Sequence, residues 1–152
     1  MKLYSALLVE DDPLVIDMAR IAAAELFHEL NLTVLEGFDA ALSWLSDSVA
    51  ANEQMPNIIL LDLKLPKLDG LAVLRTMRNV PAFRNTPIVV YSAEHTQEDV
   101  LLGYQVGANS FVAKPADPVQ FNELLREQLA YWMRLHQYNM PVAAQDDVAG
   151  GI

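Results

Sequence analysis

Apolar runs and amphipathic stretches alternate along this chain. Four short segments are rich in Val, Ile and Leu and nearly continuous in apolar character: Leu3–Val9, Asn57–Leu61, Pro87–Tyr91 and Ser110–Ala113. Leu32–Leu35 is a weaker fifth segment. Continuous apolar runs indicate strands that are buried on both faces, which is typical of parallel sheets. The pattern therefore predicts a five-stranded parallel sheet.

Helical patterns lie between the predicted strands. Every fourth position is apolar in the first of them, at Leu14, Met18, Ala22, Leu26 and Leu30, which predicts a stripe on one side of a helix. Similar stretches follow at Ala40–Leu45, Leu71–Met77 and Val100–Val106, and a last helix is marked by Phe121, Leu125, Leu129 and Trp132. Strand and helix alternating five times predict a doubly wound α/β fold with right-handed crossovers.

Several predicted helices begin with a recognisable cap. Asp12-Pro13 and Asp117-Pro118 each place a capping carboxylate before a proline, whose missing N–H costs the first helical turn nothing. Gln120 would complete a capping box with Asp117, and Thr96 with Asp99 resembles one.

The chain has 152 residues, which is about the size of one domain. We assign residues 1–137 to this domain and residues 138–152 to a C-terminal tail. The tail loses helical periodicity from about Met140 and contains Gly150-Gly151, so it is expected to be disordered or to lie at a dimer interface.

Charge and composition exclude several classes of function. Lys and Arg number 10 against 20 Asp and Glu, and a net charge of −10 argues against nucleic acid as a partner. The chain has no Cys, which excludes disulfides, thiol nucleophiles and thiolate metal sites. No signal peptide is evident, and no segment reaches the ~20 apolar residues that span a bilayer. A soluble cytoplasmic protein without a membrane partner is expected.

Polar residues follow the predicted strands. They are Glu10, Asp11 and Asp12 after the first strand, Asp62 after the third, Ser92 after the fourth and Lys114 after the fifth. Ligands bind at the carboxyl ends of the strands in such sheets, so these side chains should meet. Carboxylates held together resist ionisation unless a cation lies among them, and Mg²⁺ suits oxygen ligands of this kind.

Not all of these residues need a chemical role. Asp12 is well explained as a helix cap, and Glu10 and Asp11 are equally consistent with solvated loop residues. Asp62 is harder to dismiss, because a charge buried beside an apolar run is costly without a partner. Lys114 lies between an apolar run and a proline, which favours a buried, directed ammonium group.

Four motifs resemble the receiver domain of two-component response regulators. They are Leu8-Val9-Glu10-Asp11-Asp12, the stretch from Leu61 to Gly70, Val90-Tyr91-Ser92-Ala93, and Phe111-Val112-Ala113-Lys114-Pro115. Their order and spacing are those of the family, and the resemblance covers about residues 3–136. Each motif alone is weak, but the four together are highly specific. The resemblance implies the flavodoxin-like receiver fold.

The resemblance also implies a role for each site residue. Asp62 would accept a phosphoryl group from a histidine kinase. Asp11 would bind Mg²⁺ directly, together with Asp62 and the backbone carbonyl of Lys64, and Glu10 would act through water. Such a protein catalyses only its own phosphorylation and dephosphorylation.

Three more residues would contact or read the phosphoryl group. Lys114 would pair with the phosphoryl oxygens and be held by a cis peptide bond to Pro115. The Ser92 hydroxyl would hydrogen-bond a phosphoryl oxygen, and Phe111 would be the aromatic rotamer switch.

The end of the domain resembles stand-alone receivers that partner bacterial phytochrome-type kinases. The residues that carry this finer resemblance are Ala130-Tyr131-Trp132-Met133, Asn139-Met140-Pro141, Asn109-Ser110-Phe111 and Pro56-Asn57-Ile58. Too few residues follow the last helix for a DNA-binding module, so the expected output is a protein–protein contact or phosphoryl relay.

Other functions fit the residues less well. Haloacid-dehalogenase-like phosphatases carry Asp-x-Asp on the first strand, where this chain has Glu10-Asp11-Asp12-Pro13. A nucleotide- or flavin-binding module needs a Gly-, Ser- or Thr-rich loop there rather than an acidic one. A degenerate receiver that acts as a scaffold without phosphorylation, and an aspartyl-phosphate phosphatase, are the alternatives that stay open.

Two further hypotheses concern the surface. Lys64 and Glu94 each lie two residues after a site residue, and a pair between them would limit the approach of the hydrolytic water. A homodimer is expected through the last helix, where Tyr131 and Met133 flank the face formed by Phe121, Leu125, Trp132 and Leu135, and where Tyr104 on the preceding helix adds an aromatic.

Overall fold

The computed structural model describes residues 4–26, 30–50, 55–64 and 70–134. The strands are β1 (Tyr4–Val9), β2 (Leu30–Leu35), β3 (Ile58–Asp62), β4 (Ile88–Ser92) and β5 (Ser110–Ala113). The helices are α1 (Pro13–Leu26), α2 (Phe38–Ala50), α3 (Gly70–Arg78), α4 (Gln97–Val106) and α5 (Pro118–Arg134), and a short 3₁₀ turn spans Pro81–Phe83. The predicted alternation of strands and helices is confirmed.

All five strands form one parallel sheet in the order β2-β1-β3-β4-β5. The doubly wound α/β fold is therefore confirmed. The chain adds strands to one side of β1 and then to the other, so the order reverses between β1 and β3. In open parallel sheets this reversal opens a crevice at the carboxyl ends of the strands.

Successive strand residues point to opposite faces and build two cores. On β1, Ala6 and Leu8 pack with α1 and α5, whereas Leu7 and Val9 pack with α2 and α3. β3 and β4 divide their side chains between the two faces in the same way. Both faces of the sheet are covered, which explains why the central strands read as continuous apolar runs.

The predicted stripe of the first helix is wrong at both ends. Leu30 begins strand β2, four residues after α1 ends, and Leu14 is 57% exposed. Residues four apart advance about 400° around a helix, so such a stripe drifts by about 40° at each step. The buried face of α1 lies elsewhere, at Val15, Ile16, Ala19, Ala22 and Ala23.

Helix α5 also buries a different face from the predicted one. Met133, expected at the surface, is only 2% exposed and belongs to the core. The buried residues are Phe121, Leu125, Leu129 and Met133. Leu129 was among the residues that marked this helix in the sequence, but the face drawn for the dimer hypothesis left it out. That face included Leu135, which lies outside the described residues, so its centre was displaced. Tyr131 is exposed, as expected.

A predicted capping residue is confirmed at each of three helices, whereas the capping box of Gln120 with Asp117 stays a prediction. Asp12 Oδ1 accepts the Leu14 N–H at 3.0 Å, and Asp117 Oδ1 accepts the Val119 N–H at 2.9 Å. At α4, the Thr96 hydroxyl accepts the Asp99 N–H, and the Asp99 carboxylate accepts the Thr96 N–H.

None of the helices in the described ranges has both the length and the apolar character needed to cross a membrane. The tail assigned to residues 138–152 lies outside the described residues.

Candidate metal and phosphoryl site

The polar residues predicted for the site lie at the carboxyl edge of the sheet, whereas Phe111 is the second residue of β5. Glu10 follows β1, Asp62 ends β3, Ser92 ends β4 and Lys114 follows β5. Main-chain hydrogen bonds continue the strand pairing beyond the strands and fix this edge: Glu10 N to Leu35 O at 3.1 Å, Leu63 N to Tyr91 O at 2.9 Å, and Lys114 N to Ser92 O at 2.9 Å.

Three carboxylates converge beside the crevice between β1 and β3. One oxygen from each of Glu10, Asp11 and Asp62 lies within 4.8 Å of the others. Glu10 is 1% exposed and Asp62 is 6% exposed, whereas Asp11 is more open to solvent. Oxygen ligands from carboxylates, with solvent on one side, fit a hard divalent cation that keeps some of its waters. The donor set therefore fits the metal that the sequence predicts.

Burial disfavours the ionised forms of two carboxylates in this cluster, Glu10 and Asp62. Burial raises the pKa of Glu10 to about 7, and burial also raises the pKa of Asp62. For Asp62, the Lys64 N–H and the Lys114 charge oppose this increase, but burial outweighs them. A divalent cation among the carboxylates would offset the cost of their ionisation.

Both oxygens of Glu10 accept hydrogen bonds from the protein. Oε1 accepts the N–H groups of Asp11 and Asp12 at 3.2 and 3.1 Å, and Oε2 accepts the Tyr91 hydroxyl at 2.5 Å. Burial raises the pKa of Tyr91 well above its usual value, so the phenol remains a donor. Sequence reasoning gave Tyr91 no role. The available signal was a hydroxyl inside an apolar run, because a buried tyrosine needs a partner for that group.

The loop after Asp62 is shaped by two close backbone approaches. Asp62 Oδ1 accepts the Lys64 N–H at 3.0 Å. The Gly70 N–H donates to Leu63 O at 3.0 Å, and a Cβ at Gly70 would lie only 2.4 Å from that oxygen. Only glycine lets α3 begin so close to the end of β3. The Lys64 carbonyl as a metal ligand stays a prediction.

Lys114 is partly buried and directed over two aromatic rings. Its Nζ lies 5.8 Å from the centre of the Tyr91 ring and 5.4 Å from that of Phe121. The predicted cis bond between Lys114 and Pro115 is wrong, because this peptide bond is trans. The cis isomer was expected from the family resemblance, whereas bonds before proline in general favour the trans isomer.

Ser92 and Phe111 occupy the α4 side of the site. The buried Ser92 hydroxyl donates to the Glu94 carbonyl at 2.6 Å, so donation to a phosphoryl oxygen would require an exchange of partners. The Phe111 ring lies edge-on to His95, with centres 5.2 Å apart, and a Cβ at Gly103 would lie 3.1 Å from it. The roles of Ser92 and Phe111 stay predictions.

The predicted ion pair of Lys64 with Glu94 is wrong, because Lys64 pairs with a different acidic residue. Lys64 Nζ lies 3.7 Å from Asp99 Oδ2 on α4. Spacing along each strand end suggested Glu94, but the start of α4 places the Asp99 carboxylate nearer to the lysine. Hydrogen bonding to the Thr96 N–H is the main cause that lowers the pKa of Asp99.

Comparisons with known proteins agree with this arrangement. Residues 6–126 match the response regulator receiver domain family. Response regulator Rcp1 of Synechocystis sp. is 29% identical over 106 residues, which are 70% of this chain and 71% of that protein. Two solved structures superpose closely. The phosphorylated cyanobacterial phytochrome response regulator RcpA gives a TM-score of 0.78 at 27% identity, covering 86% of this chain and 94% of its own.

The Mn²⁺-bound form of Rcp1 gives a TM-score of 0.77 at 28% identity, covering 85% of this chain and 94% of its own. The family match includes the acidic cluster of Glu10, Asp11 and Asp62, as well as Lys114. The chain therefore belongs to the response regulator receiver domain family, within which it resembles the response regulators of phytochromes.

Proposed function

We propose that this protein accepts a phosphoryl group from a histidine kinase onto Asp62 in a Mg²⁺-dependent reaction and signals through protein–protein contacts. The observation that carries the proposal is the convergence of Glu10, Asp11 and Asp62 on one edge of the sheet, to which Lys114 also projects. Receiver domains serve phosphorylation-dependent signalling, so the family supports the same conclusion.

Phosphoryl transfer asks the protein mainly for positioning and charge neutralisation. An Asp62 carboxylate oxygen would attack phosphorus as the bond from phosphorus to the histidine nitrogen breaks, and the electron pair of that bond returns to the imidazole. Lys114 would neutralise equatorial phosphoryl oxygens, while Asp11, Asp62 and the Lys64 carbonyl hold the cation. The bound cation supplies further positive charge to the same oxygens. Ser92 would donate its hydroxyl after leaving the Glu94 carbonyl.

The kinase is proposed to be of the phytochrome type. The support is the similarity to RcpA, a cyanobacterial phytochrome response regulator. Its sequence is 27% identical to this chain over the part that superposes. The Mn²⁺-bound state of Rcp1 supports a divalent cation in the corresponding acidic pocket.

The first prediction is that a small acyl phosphate adds one phosphoryl group to the purified protein when Mg²⁺ is present. Intact-mass measurement should show the single adduct, and EDTA should abolish it. Asp62→Asn should remove the adduct because the attacking carboxylate is lost. Asp17→Asn, an exposed position on α1, is the matched control and should be labelled like the wild type.

Labelling that persists in Asp62→Asn or in EDTA would contradict the proposal. A wild type that takes no phosphoryl group would favour the scaffold alternative. Continuous release of phosphate from added phosphorylated substrates would favour the phosphatase.

A further inference from the structure

Tyr91 touches two functional groups of the site through different atoms. It is the penultimate residue of β4, is 2% exposed and packs against the Phe121 ring with centres 5.7 Å apart. Its hydroxyl donates to Glu10 Oε2, and the Lys114 ammonium lies over its ring. Glu10 and Lys114 are therefore both supported by Tyr91, which is 81 positions from Glu10 in the sequence.

The hydroxyl determines how the Glu10 carboxylate lies. The two main-chain N–H groups hold Oε1 only, so the plane of the carboxylate is fixed by what holds Oε2. Tyr91 supplies that second point of attachment. A carboxylate fixed at both oxygens keeps one orientation toward the other two acids and is prepared to accept a hydrogen bond from metal-bound water. Partners that orient a metal site in this way strongly affect metal affinity.

The ring determines where the Lys114 ammonium lies. The ammonium is 5.8 Å from the centre of the Tyr91 ring and 5.4 Å from that of Phe121, within the range of cation–π attraction. In the described residues, no carboxylate oxygen lies within ion-pair distance of Lys114. The two rings therefore hold the ammonium in place while leaving its N–H groups available to a phosphoryl group.

We propose that Tyr91 is a positioning residue with two separable parts: its hydroxyl orients Glu10 for the divalent cation, and its ring orients Lys114 for the phosphoryl group. The second part rests on the function proposed above, whereas the first requires only that the acidic cluster binds a cation. Substitutions that remove one part at a time can therefore separate them.

Tyr91→Phe removes the hydroxyl and keeps the ring. Calorimetric titration of the unphosphorylated protein with Mg²⁺ should show an affinity weaker than that of the wild type by up to about 10-fold, because Tyr91 orients Glu10, which reaches the cation through water. The maximal phosphorylation rate at saturating Mg²⁺ should stay within about two-fold of the wild type, because Lys114 keeps its support. Thermal unfolding establishes that the variant is folded.

Tyr91→Leu removes both parts, and Phe121→Leu removes only the second ring. Tyr91→Leu should also lower the saturated rate about 5-fold relative to Tyr91→Phe, the order expected for the loss of one cation–π contact. Phe121→Leu should lower the rate while leaving the Mg²⁺ affinity unchanged. Proton NMR gives a readout that needs no phosphorylation: the Lys114 methylene protons should show an upfield ring-current shift that Tyr91→Phe retains and Tyr91→Leu reduces.

A Mg²⁺ affinity of Tyr91→Phe equal to or tighter than that of the wild type would overturn the role of the hydroxyl. Equal Lys114 shifts in Tyr91→Phe and Tyr91→Leu would overturn the role of the ring. Neither measurement depends on a phosphodonor, so a wild type that binds Mg²⁺ but leaves Asp62 unlabelled would contradict the proposed function alone.

Discussion

Arg78 shows how much of this fold depends on a single side chain far from the site. All five of its N–H groups donate to oxygens near the amino ends of β4 and β5. The contacts are Nε and Nη2 to Gly107 O at 3.1 and 2.8 Å, Nη1 to Phe83 O and Thr86 O at 2.6 and 3.0 Å, and Nη2 to Asn109 Oδ1 at 2.8 Å. Arg78 thus joins the end of α3 to two connecting segments, the one between α3 and β4 and the one between α4 and β5.

We expect Arg78→Lys to lower the free energy of unfolding by roughly 2–3 kcal/mol, because a lysine cannot reach all of these oxygens and would leave some unsatisfied. Arg75→Lys is the matched control on the same helix; Arg75 is exposed, so its change should stay below about 0.5 kcal/mol. Urea unfolding measures both. Equal stabilities of the two variants would show that the Arg78 contacts contribute nothing.

At the scale of single residues, the sequence reveals those whose role can be recognised from their immediate neighbours along the chain. Asp62, Ser92 and Lys114 could be predicted because each follows an apolar strand, and the carboxyl ends of parallel strands share an edge. Tyr91 and Arg78 could not, since their partners lie up to 81 and 31 positions away and only the folded sheet brings them together.

At the scale of elements, the ion pair between Lys64 and Asp99 links the loop after β3 to the first turn of α4. Asp99 also forms the capping box of α4 with Thr96. Lys64, two positions after Asp62, therefore contacts a carboxylate that caps α4. The pair is exposed to solvent, and exposed pairs of this kind contribute little to folding. Its steric effect at the mouth of the site is expected to matter more.

Lys64→Ala should therefore speed the hydrolysis of phosphorylated Asp62 several-fold, because water would approach more freely, while the midpoint of thermal unfolding stays nearly unchanged. Decay of the intact mass after removal of the phosphodonor measures the rate. Arg126→Ala breaks another exposed pair, with Glu25 at 3.4 Å, and should leave the decay as in the wild type. If Lys64→Ala decays at the wild-type rate, the lysine does not screen the site.

Strands were easier to predict than helix faces, for a physical reason. A strand buried on both sides is apolar at every position, so an error of one residue changes little. A helix turns by 100° per residue, and one wrong member moves the centre of its face. The face drawn for the dimer hypothesis left out Leu129, and this was enough to place Met133 at the surface, whereas the structure buries it.

At the scale of the whole molecule, α4 and α5 each present an apolar surface that the core does not use. β5 is an edge strand, and α4 and α5 lie on opposite faces of the sheet. Leu101 and Tyr104 on α4 and Tyr131 on α5 are exposed. The Tyr104 hydroxyl accepts the Phe111 N–H at 3.0 Å, so one unpaired amide of the edge strand is already covered.

This surface is where we expect two copies of the chain to pair. Aromatic side chains are enriched in interface cores, and a two-fold axis would bring the same patch of each copy together. Sedimentation of the wild type, with and without phosphorylation of Asp62, should show a dimer, and Tyr131→Glu should shift it toward monomer because a charge would be buried at the contact. Ile21→Glu is the matched control: Ile21 is equally apolar and similarly exposed, but lies on α1. A wild type that stays monomeric at high micromolar concentration in both states would end the dimer hypothesis, and equal weakening by both variants would show that the contact does not depend on Tyr131.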